Sequence, residues 1–137
     1  MIIAAVDPGE STGICVIDPC AVDELNSTTI PAETIAFEMI GLRKCDLILI
    51  EKPLKTISSH IAFAVAMYVT WTGWPFVEMV NKEERIPYLQ QAKETLSIRF
   101  RDKYSNNEPI SRPTQHEIDA YAHILAWRNK NATSETE

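Results

Sequence analysis

Apolar and polar positions along this chain switch between a period of two residues and a period near three and a half, and the switch points divide it into strands and helices. Ile2 to Val6 is an apolar run ending at Asp7, and Thr12 to Ile17 is a second run beyond Pro8, Gly9, Glu10 and Ser11. Together they predict a hairpin-like pair of strands. Asn26 to Ile30 predicts a short edge strand, because Pro31 follows and cannot donate to a ladder. Ala32 to Leu42 carries Ile35, Ala36, Met39, Ile40 and Leu42 at the spacing of an amphipathic helix. Asp46 to Glu51 is apolar on both faces and ends in an acid, which predicts a strand in the middle of a helix-covered sheet.

The second half is richer in helix. Ser58 or Ser59 caps a helix running to about Trp71, so apolar around its circumference that it predicts burial on more than one side, in the core or at a subunit interface. Phe76 to Val80, after Pro75, predicts a strand, Tyr88 to about Tyr104 a helix, and Ser105 to Arg112 a polar loop. A final helix is expected from near Pro113, with Thr114 and Glu117 at capping-box spacing. Residues 129–137 are polar and predict a disordered tail, leaving 1–128 as a single α/β domain without internal repeats or a linker.

Composition sharpens the class. With 137 residues, 45% of them hydrophobic, the chain can bury one real core and is short for two domains. Its longest apolar stretch, roughly Ile57 to Val80, is interrupted by Ser58, Ser59, His60, Thr70, Thr72, Gly73 and Pro75, so no membrane span is expected. The N-terminus lacks the basic segment of a signal peptide. Cys15, Cys20 and Cys45 are odd in number and lack zinc-ligand spacing, as expected of buried thiols in a reducing cytoplasm. The net charge of −6 argues against a passive nucleic-acid binder. Its distribution leaves local basic surface, with Lys93, Arg99, Arg101 and Lys103 on one predicted helix and Lys52 and Lys55 after Glu51.

The candidate chemistry lies where strands end. Asp7 precedes a turn bracketed by Gly9 and Gly13, residues that tolerate unusual backbone angles and close approach, while Pro8 fixes one φ. Glu51 closes the buried strand in the same way. On the final helix His116, Asp119 and His123 fall at i, i+3 and i+7 and share one face, and Ala120 and Ala122 keep that helix thin enough to lie close to a sheet. Brought together, these groups make a compact set of hard metal ligands suited to Mg²⁺ or Mn²⁺. Each also has a plainer role open to it. Asp7 can cap its own turn, Glu51 can pair with Lys52 or Lys55, and His116 can be an ordinary first-turn residue. Asp119 can simply favour a helix N-terminus; His123 reads as structural and Glu117 as a cap.

The ordered set Asp7-Pro8-Gly9 with Ser11, Thr12 and Gly13, then Glu51 ending an apolar strand, then His116-x-x-Asp119-Ala120 on a late helix resembles the RuvC-type Holliday junction resolvases and their phage-encoded relatives. The resemblance spans essentially the whole chain. It implies a ribonuclease H-like α/β fold, with a mixed five-stranded sheet flanked by helices, and a cytoplasmic homodimer acting on branched DNA. It further implies an endonuclease with two Mg²⁺ ions per active site, for which Mn²⁺ substitutes, held by Asp7, Glu51, His116 and Asp119. Some members of that family have Asp where His116 stands. Lys52, Lys55, Ser11 and Thr12 are the candidate DNA contacts. The aromatic residue that bacterial members carry shortly after the strand glutamate is replaced here by Lys52-Pro53-Leu54-Lys55, so flaps and Y-junctions stand beside four-way junctions as substrates. The same glycine turn is similar to the first phosphate-binding turn of the actin, Hsp70 and sugar-kinase superfamily, which needs a second domain this chain lacks. A non-catalytic DNA-binding scaffold is a third reading, and the retained acids speak against it.

Overall fold

The computed structural model describes residues 1–9, 11–21, 24–31, 45–52, 76–104 and 112–135. Five strands, β1 (Ile3–Asp7), β2 (Ser11–Ile17), β3 (Leu25–Pro31), β4 (Leu47–Glu51) and β5 (Phe76–Val80), form one sheet in the order β3-β2-β1-β4-β5. The first three make an antiparallel meander, and β4 and β5 add to it in parallel. This is the mixed sheet expected from the sequence, with the apolar strand β4 in its interior and the proline-terminated β3 on its edge. A 3₁₀ helix (Lys82–Tyr88) follows β5 and leads into α1 (Leu89–Tyr104), and α2 (Gln115–Glu135) closes the described structure. The expected helices over 32–42 and 58–71, and most of the polar loop over 105–112, lie outside the described residues.

Strand periodicity sorts the core into two sides. Ile3, Ala5, Cys15, Ile17, Leu47 and Leu49 pack with Ala92 and Leu96 of α1 and Ile118, Ala120, Tyr121, Ala122 and Ile124 of α2. The alternate positions Ala4, Val6, Ile14, Ile30, Ile48 and Ile50, with Cys45, form a second buried cluster on the opposite face. Leu49, Ile50, Leu96 and Ile124 are among the largest fully buried side chains, each contributing about 1.5–3 kcal/mol of transfer free energy. Continuing the same alternation by one step puts Asp7 and Glu51 on the face that carries α2. Among the cysteines, Cys15 and Cys45 are buried free thiols as expected, and Cys20 is exposed.

Helix ends follow local chemistry. Thr114 and Glu117 form the predicted capping box: the Glu117 amide donates to Thr114 Oγ1 (3.2 Å) and the Thr114 amide donates to Glu117 Oε2 (3.1 Å). Glu117 also accepts from the hydroxyls of Ser27 (2.6 Å) and Thr29 (2.9 Å), which ties the start of α2 to β3. Before α1 the chain stays 3₁₀-helical through Pro87, whose missing N–H suits a short tight helix better than an α-helical interior. The far end of α2 corrects the sequence reading. The helix runs to Glu135 and does not give way to a tail at 129. No glycine or proline interrupts residues 128–137, and the Asn131 side-chain amide donates to the Trp127 carbonyl (2.8 Å), so polar composition alone does not stop it. No helix among the described residues is long and apolar enough to cross a membrane.

Candidate active site

Parallel pairing of β1 with β4 matches Val6 to Ile50, so the next residues, Asp7 and Glu51, end their strands side by side. The carboxyl ends of parallel strands are where open α/β sheets gather ligands. On β2 the cross-strand partner of Asp7 is Gly13. A Cβ on Gly13 would lie 2.2 Å from the carbonyl oxygen of His116, so only a bare backbone lets the first turn of α2 descend this far onto the sheet. Neither Gly9 nor Gly13 takes a left-handed φ; of the two properties expected of them, close approach is the one in use at Gly13.

That descent brings the expected residues together. His116 Nδ1 lies 3.3 Å from Asp7 Oδ2, and Asp119, one turn further along, is buried beside them with its Oδ1 accepting from Gln115 Nε2 at 2.8 Å. A further turn on, His123 is 2% exposed and its Nε2 meets Glu51 Oε1 at 3.0 Å. His123 thus supports a carboxylate, in keeping with the structural role expected for it. Its other ring nitrogen has no partner among the described residues, and His123 lines a cavity of about 30 Å³ together with Glu78, Glu84 and Trp127.

One member of the cluster lies outside the expected set. Arg85, on the 3₁₀ helix after β5, inserts its guanidinium among the three acids: Nη1 pairs with Glu51 Oε1 and stands 4.0 Å from Asp7 Oδ1, while Nη2 is 3.5 Å from Asp119 Oδ2. Its side chain is only 11% exposed. Nothing local announces it, since Lys82-Glu83-Glu84-Arg85 reads as a solvated run of mixed charge. Glu51 has Arg85 and His123 as partners, and Lys52 is exposed at the strand end. Ser11 is exposed as well. Thr12, expected as a DNA contact, is fully buried with its hydroxyl donating to the Gly9 carbonyl (3.0 Å), so its side chain braces the turn and has no surface to offer. Lys55 lies outside the described residues.

Crowding in this buried corner shifts Asp7 and Glu51 in opposite directions. Burial, then a hydrogen bond and repulsion from Glu51 and repulsion from Asp119, push Asp7 up to about 8 against the pull of Arg85. For Glu51 burial works upward too, but hydrogen bonds from His123 and Asp7 and the charge of Arg85 outweigh it and hold the group down at about 2. The neutral form is thus favoured at Asp7 and the ionised form at Glu51. Three carboxylates and an imidazole are the donor set of a hard divalent cation, and the three carboxylates already face one positive charge, that of Arg85. Among the described residues no three of these groups stand close enough to grip one ion as they lie, and the Arg85 guanidinium sits against all three acids.

The mixed sheet order, with helices packed against it, is that of a ribonuclease H-like α/β fold. Among solved structures the chain is similar to Thermus thermophilus RuvC, at 20% identity over 92% of each chain with a TM-score of 0.56. It is also similar to the fowlpox virus Holliday junction resolvase, at 14% identity over 95% of this chain and 99% of that one with a TM-score of 0.59. The fowlpox enzyme in complex with Holliday junction DNA gives a TM-score of 0.63 at 13% identity, covering 93% of this chain and 99% of that one. No family model and no curated protein matches the chain in sequence.

Proposed function

We propose that this protein is a divalent-metal-dependent endonuclease that hydrolyses phosphodiesters in branched DNA, most specifically by paired nicks across a four-way junction from a homodimer. The observation that carries the reading is the convergence of Asp7, Glu51, Asp119 and His116 at the carboxyl edge of the sheet, on a fold shared with resolvases whose structures include junction complexes. In the reaction Asp7, Glu51, Asp119 and His116 would hold two Mg²⁺ ions, with Mn²⁺ able to substitute. When bound, such ions activate a water and stabilise the leaving 3′-oxygen.

The chain's own residues do the positioning. His123 fixes the Glu51 carboxylate from below, and Gln115 fixes Asp119. Asp7, held between His116 and Glu51, is the central acid of the set. Lys52 stands exposed one residue beyond Glu51, where a DNA phosphate would approach, and Ser11 is exposed at the start of β2. Bound cations would offset the acidic surroundings toward an anionic substrate, so the chain's net charge does not oppose DNA.

The test compares the wild type with Asp7→Asn and Glu51→Gln on a synthetic four-way junction, a flap and a linear duplex in Mg²⁺. The wild type is expected to nick the branched substrates, and both variants to lose at least about 100-fold in rate. A wild type that cuts none of them, or variants that cut as well, overturns the assignment. Thermal stabilisation by ATP without any by Mn²⁺ supports the nucleotide-binding alternative instead.

A further inference from the structure

Arg85 reaches into the one place that all three acids face. Burying Asp7, Glu51 and Asp119 together without a cation costs several kcal/mol per unpaired charge, and Arg85 is the guanidinium that meets them. Its support is firm at the base. The 3₁₀ helix that carries it is fixed by a capping box between Asn81 and Glu84, with the Asn81 amide donating to Glu84 Oε2 (2.8 Å), while Tyr88 and Leu89 just beyond pack on the core. The long, flexible stem of Arg85 extends from that anchor to the acids.

A guanidinium and a divalent ion cannot share this position. Charge-assisted N–H···O contacts hold oxygens about 2.7–2.9 Å from nitrogen, whereas Mg²⁺ draws its oxygens to about 2.0–2.1 Å and needs several of them at once. Arg85 pairs with Glu51 and stands 4.0 Å from Asp7 and 3.5 Å from Asp119, so the guanidinium occupies the corner the three acids share, and among the described residues no three groups are close enough for one ion. We infer that Arg85 is a built-in stand-in for the metal: in the metal-free protein it neutralises and shapes the acid cluster, and it must leave that position for a divalent cation to enter. This rests on the metal-site reading above and adds a competitor to it. The consequence is a site that folds without metal and binds metal more weakly than its donors alone would allow.

Two measurements on the full-length protein test it. Mn²⁺ binding by calorimetry, with electron paramagnetic resonance as a check on free ion, is compared for the wild type, Arg85→Gln and Arg85→Lys. Arg85→Gln is expected to bind Mn²⁺ about tenfold more tightly and, in chelator, to melt at a lower temperature than the wild type. Arg85→Lys, with one ammonium in place of a fork, is expected to fall between them. Should the Gln variant not fold, the wild type still answers through the Arg85 Nε–Hε resonance, which is expected to lose its buried, protected position when Mg²⁺ is added. Mn²⁺ binding by the wild type with no tightening in Arg85→Gln, or an Arg85 resonance unmoved at saturating Mg²⁺, overturns the inference and leaves the metal site standing. No Mn²⁺ binding by either protein overturns the metal site and the inference together.

Discussion

Gly13→Ala is the smallest substitution that strikes the geometry on which the site depends. The added methyl would lie 2.2 Å from the His116 carbonyl oxygen, 2.3 Å from its carbonyl carbon and 2.7 Å from its Cβ. Ordinary contact begins near 3.4 Å, so the first turn of α2 must retreat by roughly 1 Å. The obstacle is largely backbone, and no side-chain rotation relieves it. Overpacking of this kind costs about 1–3 kcal/mol, against which the loss of glycine's freedom in the unfolded chain returns about 0.4–1 kcal/mol. A net loss of about 1.3 kcal/mol in a chain of 137 residues lowers the melting temperature by roughly 4–6 °C. Activity should fall further than stability, because the same retreat draws His116 and Asp119 away from Asp7, and a 1 Å misplacement can cost about 100-fold in rate. Gly9→Ala is the internal control. Its methyl meets only the Ser11 carbonyl oxygen at 3.1 Å, a conflict of a few tenths of an ångström, and a shift under about 3 °C is expected. Thermal unfolding and junction nicking, both measured at matched folded fraction, decide the matter. A Gly13→Ala protein that melts within about 1 °C of the wild type refutes the close seating of α2 on β2.

Further outcomes follow from the cluster and its supports. Because the folded Asp7 stands near 8 and the unfolded value is 3.8, its contribution to stability is complete below the unfolded value and is lost as pH rises toward and through 8. Glu51, held at about 2, acts the other way and is lost only as pH falls below 4.5. In chelator the wild type should therefore melt lower at pH 8 than at pH 5, and Asp7→Asn should flatten that slope; an equally steep slope in the variant contradicts the assignment of the proton to Asp7. His123→Leu removes the partner of Glu51 Oε1 and should cost about 10–100-fold in nicking while His123→Gln retains more, as second-layer supports of metal-holding carboxylates do. Equal activity of the two variants would remove His123 from the positioning of Glu51. Glu117→Ala deletes the acceptor of Thr114, Ser27 and Thr29 at once and should destabilise by on the order of 2–3 kcal/mol, read by denaturant unfolding at unchanged m-value.

How much of the fold and site is legible in the sequence depends on the range of the interaction. The acids ending β1 and β4, the capping box at Thr114 and Glu117, and the shared face of His116, Asp119 and His123 are written in runs of two to eight residues, where strand alternation and helical spacing speak directly. Arg85 is different. Its neighbours Lys82, Glu83 and Glu84 give the pattern of a solvated turn, and its burial follows only once β5 is known to lie beside β4, which carries the 3₁₀ helix over Glu51. Thr12 shows the opposite error. Its place in a Ser-Thr-Gly turn suggests a phosphate contact, yet strand alternation from exposed Ser11 turns it inward, on the side of Ile14. The continuation of α2 past 128 escapes a reading of composition, because polarity imitates disorder even where no helix breaker stands.

The turn after β1 also separates the two catalytic readings in physical terms. A phosphate-binding turn needs its small residues bare so that backbone N–H groups reach an anion. Here the two features that suggest such a turn are used up inside the protein: the space above Gly13 is filled by the His116 backbone, and the Thr12 hydroxyl is committed to the Gly9 carbonyl. The group set beside Asp7 is consequently an imidazole from α2, and not an open cradle for a nucleotide's phosphates. The glycine serves helix docking, and helix docking brings His116 and Asp119, the second half of the proposed ligand set, to the acids. That coupling explains why a turn shared in outline by kinases and nucleases favours the nuclease in this chain. The residue that would have to bind phosphate in one reading is the residue that seats His116 and Asp119 in the other.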